Sequence, residues 1–157
     1  MQCRAGLSVG RPTLPPMDTN VPDRKLAELI TLIDVSSLEI TLTVTSNGQT
    51  VTGQAVAAHR WFEEQAARVK NLSGAEGGLH ELFELWQTQH REAAELIKRD
   101  LDNEGSSAAL TQRTKHVHLQ RARFVGGDGM LPNSNGLLWR CQLSSVTGWA
   151  LGELRDT

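Results

Sequence analysis

The stretch Leu38-Glu-Ile-Thr-Leu-Thr-Val-Thr-Ser-Asn-Gly-Gln-Thr-Val-Thr-Gly-Gln-Ala-Val56 decides the fold class. Leu38, Ile40, Leu42 and Val44 alternate with Glu39, Thr41, Thr43 and Thr45. A period of two places one set on a core face and the other toward water, as in a half-buried strand. Asn47-Gly48 is the residue pair that a tight type I′ turn prefers, because both central positions need positive φ. The return strand runs from Thr50 to Val56, and Gly53 inside it predicts a bend or bulge.

The end of the chain repeats the theme. His116-Val-His-Leu-Gln-Arg-Ala-Arg-Phe124 opens with Val117 and Leu119 on one face. The pattern then changes phase to Ala122 and Phe124, which predicts a bulge near Arg121. Leu137, Trp139, Cys141 and Leu143 line one face of a fourth strand. A fifth covers Trp149 to Leu154 and is bent at Gly148 and Gly152. Between the third and fourth strands, Gly126-Gly-Asp-Gly129, Pro132, Asn133, Asn135 and Gly136 supply turn chemistry.

Helices occupy the rest. Leu26, Leu29, Ile30 and Ile33 recur at helical spacing after Asn20, a candidate N-cap, and Pro22, suited to a first turn. Trp61, Phe62, Ala66 and Val69 form one apolar stripe. After a break at Gly74, Gly77 and Gly78, a longer helix carries Leu79, Leu82, Phe83, Trp86, Ala93 and Ile97. The expected fold is α+β: a small, strongly curved five-stranded antiparallel sheet or Sm-like barrel. It has an N-terminal helix and a two-helix insertion, at about 58–103, between strands two and three. Residues 1–20 read as a disordered tail, 21–157 as a single domain, and Met17 is a candidate start. The tail has no apolar run of the kind a secretory signal needs.

The chain has 157 residues, 39% of them apolar, and a formal net charge of −2. That charge argues against broad electrostatic binding to nucleic acid or an anionic membrane. Residues 60–104 hold ten acidic side chains and six basic ones. Glu81, Glu84, Glu92 and Glu95 mark a candidate acidic helical face, which is either a solvated surface or a contact for a basic partner. Arg121, Arg123 and Arg140 fall on adjacent strands and form a candidate basic patch. That patch would suit acidic protein segments, including the acidic helices of another copy. RNA binding would also want exposed aromatics for stacking, and the chain has no Tyr and only three Phe.

Chemistry-bearing groups are sparse. His116 and His118 point the same way on a strand, but a stable zinc site needs three or four ligands. His59, His80 and His90 are scattered over the helices, so no metal site is expected and packed or exposed histidines are the simpler reading. His90 sits at the edge of an apolar stripe. The Gly126–Gly129 turn lacks the lysine of a phosphate-binding loop. Cys3 and Cys141 make no disulfide framework and read as reduced thiols. No nucleophile–base pairing stands out, so no catalytic residues and no cofactor are expected.

Several of these motifs recur together: Leu38-Glu-Ile-Thr-Leu42, Asn47-Gly48, Val51-Thr-Gly53 and Trp61-Phe62. His118-Leu119, Gly127-Asp128, Leu138-Trp-Arg140, Val146-x-Gly148 and Leu151-Gly152 complete the set. In this order and spacing they resemble the gas vesicle accessory proteins of the GvpU type. The resemblance covers 38–62 and 116–154; Cys141 stands where a glycine is expected, and the helical insertion is longer. It implies a non-catalytic cytoplasmic protein that self-associates and takes part in gas vesicle assembly or clustering. Its partners would be shell or other accessory proteins. An Sm-like RNA-binding module is the alternative.

Overall fold

The computed structural model describes residues 21–72, 78–104, 113–127, 129–132 and 135–154. The expected tail, Met17, Asn20, Gly74, Gly77, Asp128 and Asn133 lie outside them. The order of elements is α1 (Arg24–Ser36), β1 (Ile40–Ser46), β2 (Gln49–Ala55), α2 (Ala58–Asn71) and α3 (Leu79–Glu104). Then come β3 (His116–Gly126), β4 (Gly129–Leu131), β5 (Leu137–Gln142), a 3₁₀ turn (Leu143–Ser145) and β6 (Val146–Leu151).

The chain is α+β, with one six-stranded antiparallel sheet in the order β4-β3-β2-β1-β6, β5 also pairing with β3. The sheet is open. Among the described residues no ladder joins β5 to β6, so pairing does not close the expected barrel. The expectation of five strands also falls short. Gly126–Gly129 is a hairpin turn rather than a plain loop, and Gly129–Leu131 folds back on the end of β3. That strand is three residues long, too short for periodicity to register.

The first hairpin forms as its sequence predicts. Asn47 and Gly48 have φ of 51° and 77°, and Ile40 to Ser46 pair with Ala55 to Gln49 without a slip. Helix α1 is capped by Asp23, whose carboxylate accepts the Leu26 N–H at 3.0 Å. Its apolar face (Leu26, Ile30 and Ile33, each no more than 2% exposed) packs with Leu42, Val44, Val51, Val117, Leu119 and Leu143. Fully burying one such side chain is worth about 1.5–3 kcal/mol, so this layer holds the fold together.

Leu143 is buried but lies in the 3₁₀ turn rather than in a strand. Trp139, Cys141 and Trp149 are only partly buried against the core. Leu137, expected on the same strand face as Trp139 and Cys141, is exposed, and so is Leu151 of the closing strand. The physical reason is the open sheet: β6 pairs only with β1 and β5 only with β3, so each keeps a face or an edge at the surface.

The bulge at Arg121 forms. Registers on both sides of β3 shift there, and Arg121 has φ of 51°. A Cβ on Gly53 would lie 2.9 Å from the Gln120 carbonyl oxygen, and one on Gly136 (φ 76°) would lie 2.4 Å from the Arg121 carbonyl carbon. Two glycines therefore clasp the bulge from both neighbouring strands. Gly136→Ala is expected to destabilise the protein by about 2–4 kcal/mol, through steric overlap and left-handed strain. Urea unfolding should show a lower midpoint with the slope unchanged. A variant as stable as the parent would mean that this clasp does not exist.

Candidate functional site

Alternation along β3 splits its side chains between two layers. Val117 and Leu119 join the α1 core, whereas His116 and His118 face α2 and α3. On that side Trp61, Phe62, Phe83 and Trp86 form a chain of ring contacts, with Phe62 5.1 Å from Trp61 and 5.7 Å from Trp86. His90 stacks on Phe62 at 4.8 Å and 13°. His118, 3% exposed, touches the rings of Trp61, Phe62, His90 and His116. Of the five histidines only His118 is buried, the others being partly exposed, and His90 lies beside the Phe62 ring. Among the described residues no group of three or more His, Cys, Asp or Glu side chains is placed to hold a metal ion.

β5 brings Arg140 directly opposite His118. The Arg140 Nε–H donates to His118 Nε2 at 3.1 Å, and its guanidinium carbon lies 5.8 Å from the centre of the Phe62 ring. This pair borders a cavity of about 330 Å³ between α3 and the start of β3. Asp34, His90, Ile97, Lys115, His116, His118 and Arg140 are among its lining residues. Burial, reinforced by the Arg140 charge, pulls the pKa of His90, His116 and His118 down, farthest for His118. The buried hydroxyl pair Thr31–Thr114, at 2.7 Å, ties the segment entering β3 to α1.

The three arginines of the candidate patch do not converge. Arg121 and Arg123 line a polar groove with Glu64, Arg68, Gln120, Asn135 and Leu138, while Arg140 lines the histidine cavity. The bulge separates them: Arg140 pairs before it, and Arg121 sits within it. Arg123 approaches Glu153 at 3.8 Å, and Arg121 has no ion-pair partner among the described residues. The four glutamates do converge. Glu81, Glu84, Glu92 and Glu95 are exposed on α3 and, at 100° per residue, fall within an arc of about 80°. Leu82, Leu85 and Leu96, all exposed, run beside them.

Sequence reasoning missed Asp34. It lies near the end of α1, yet its carboxylate accepts the Ala58 N–H at 2.9 Å and so caps α2, which has no cap of its own. The sequence gives no signal for a cap supplied from 24 residues away. The cavity was also missed, although its parts, His116, His118 and Arg140, were each noticed. The register that joins β3 to β5 was what sequence could not supply.

The fold is an α+β one, an open antiparallel sheet with α1 on one face and a helical pair over the other. The family model described as gas vesicle protein GvpU-like matches residues 23–154, and the chain belongs to that family. No curated protein and no solved structure matches the chain. No helix among the described residues is long and apolar enough to cross a membrane.

Burial raises the Asp34 pKa from 3.8 to about 6, opposed by the Ala58 N–H. A raised carboxyl pKa contributes stability that is complete below the unfolded value and is lost as pH rises through about 6. Asp34→Asn keeps an acceptor for Ala58 and removes the charge. It should match the parent near pH 4 and exceed it near pH 8 by about 1–3 kcal/mol, measured by urea unfolding at both pH values. A difference that does not change with pH would show that Asp34 does not titrate in this way.

Proposed function

We propose that the protein is a non-catalytic gas vesicle accessory factor that self-associates and acts in vesicle assembly or clustering. The observation that carries this is the separation of charge on one surface-rich chain. An acidic stripe (Glu81, Glu84, Glu92, Glu95) runs along a helix of 26 residues, about 39 Å long, and a groove elsewhere holds Arg121 and Arg123 beside an Arg68 that is paired with Glu64. The stripe of one copy fits the groove of the next. Because the two patches differ, the contact is heterologous, and it builds rings where the rotation closes and open chains where it does not. Such weak multivalent contacts suit a protein that gathers large particles. Leu82, Leu85 and Leu96 supply apolar area next to the acidic stripe. Membership of the GvpU-like family supports the vesicle setting, and shell or other accessory proteins are the further partners.

The alternative, RNA binding, draws less support. Trp61 is buried and Trp139 and Trp149 pack against the core, so these rings offer no stacking platform.

Sedimentation and light scattering should show oligomers at low salt that dissociate towards 1 M salt, where the Debye length falls to about 3 Å. A variant with all four glutamates changed to Lys, or with Arg121→Glu and Arg123→Glu, should stay monomeric. Mixing the two variants should restore a heteromeric contact. A parent that is monomeric at all concentrations, or charge-reversed variants that assemble normally, would rule the model out. Retention on isolated gas vesicles, measured in parallel, separates the vesicle role from self-association.

A further inference from the structure

The Arg140–His118 hydrogen bond fixes a tautomer. A guanidinium N–H can only donate, so His118 Nε2 accepts and the ring proton of neutral His118 belongs on Nδ1. That Nδ1 is buried and has no hydrogen-bond partner among the described residues. A buried N–H without an acceptor is costly, and the group that would satisfy it is an oxygen carrying lone pairs. A protonated Nδ1 is also closed to a metal ion, so the unmet valence calls for an acceptor and not a cation.

The surroundings point the same way. Arg140 spends only Nε on His118, and its remaining guanidinium N–H groups have no protein partner among the described residues. Lys115 lines the same cavity without an ion-pair partner among them. Arg113 is there too but is engaged by Asp100 at 3.2 Å. The one carboxylate in the lining, Asp34, is held by the Ala58 N–H. Opposite the cations, Ala93, Ala94 and Ile97 of α3 form an apolar wall. At about 330 Å³ the space is at the small end of ligand pockets and larger than a bare oxyanion needs.

We propose that this cavity binds a small organic anion. Its anionic group lies among Arg140, Lys115 and the imidazoles of His116 and His118, and its apolar part lies against Ala93, Ala94 and Ile97. A carboxylate and a phosphate monoester share the chemistry: both present planar or tripodal oxygens to a guanidinium fork. The cavity is separate from the groove and stripe assigned to self-association, and failure of one proposal leaves the other standing.

The titratable and charged groups facing the anion are Asp34 of α1, His90 of α3, Arg113 and Lys115 before β3, His116 and His118 of β3, and Arg140 of β5. Burial, and after it the Arg140 charge, lowers the pKa of all three histidines. An anion favours the charged forms of His90 and His116, whereas His118 keeps Nε2 free to accept from Arg140, and Asp34 loses its charge as pH falls through about 6. Both effects have the same sign, so binding takes up protons and tightens as the medium acidifies.

Hexanoate, which stays ionised between about pH 6 and pH 8, is the probe, with inorganic phosphate as the head-group control. NMR titration of the full chain should show saturable shifts of the His116 and His118 imidazole signals with hexanoate, stronger at the lower pH. Arg140→Gln should weaken binding about tenfold or more, the loss of one charge-assisted contact, and Arg140→Lys should recover part of it. Lys25→Gln, on the far helix, controls for net charge, and circular dichroism checks that each variant is folded. The proposal is overturned if the imidazole signals do not move at saturating hexanoate, if Arg140→Gln binds like the parent, or if affinity does not rise on acidification. Inorganic phosphate binding as tightly as hexanoate would remove the role given to the apolar wall.

Discussion

The close approach of β2 and β3 at Gly53 is the constraint on which the rest of the structure depends. Only a residue without a side chain lets the Gln120 carbonyl and the Ala122 Cα come within about 3 Å of its would-be Cβ. The approach leaves room for the extra residue of β3 and forces Arg121 into positive φ. Gly136, at the threshold of β5, closes on the same backbone from the other side. A bulge changes which face a strand presents. It therefore sets what the two halves of β3 do. Before it, Val117 and Leu119 feed the α1 core while His116 and His118 face the helical pair. After it, Arg123 turns to the groove and Phe124 packs against the core.

The helical pair is joined to the sheet by the same strand. Phe62 and Trp61 rest on His118, His90 stacks on Phe62, and Arg140 caps the cluster from β5. Asp34 makes a second tie, from the end of α1 to the start of α2. The second tie opposes the burial of its own carboxylate. The N–H of a helix start stabilises that charge, while the loss of water destabilises it, and the raised pKa shows that burial wins. A group kept at such a cost ties α1 to the helical insertion.

How much of this was legible in the sequence follows from the range of each interaction. The hairpin was, because alternation and Asn47-Gly48 act within a few residues. The bulge was, because a phase change in Val117, Leu119, Ala122 and Phe124 is visible in one strand. The acidic stripe was, because helical spacing alone places Glu81, Glu84, Glu92 and Glu95 together. The resemblance to the GvpU type, carried by motifs in both β blocks, is matched by the family model. What was not legible depends on pairing between distant segments. Closure of the sheet could not be read from curvature. The exposure of Leu137 and Leu151 could not be read from alternation, because a period of two does not say whether anything covers the face. The split of Arg140 from Arg121 and Arg123 required the register of β5.

That split changes what the polar side of the closing strands is for. Three arginines on neighbouring strands would make one diffuse electropositive field, useful for steering and indifferent to the shape of a partner. Divided by the bulge, they lie in two different settings. Arg121 and Arg123 remain at a wet groove, where screening keeps each contact weak and reversible. Arg140, itself exposed, lies against the Phe62 ring and donates its Nε–H to the buried His118 imidazole. Among the described residues Arg121 and Arg123 have only a distant carboxylate for company, Glu153 at 3.8 Å from Arg123, whereas Arg140 has an aromatic ring and an imidazole acceptor beside it. A single extra residue in β3, accommodated by two glycines, separates the two environments on one small sheet.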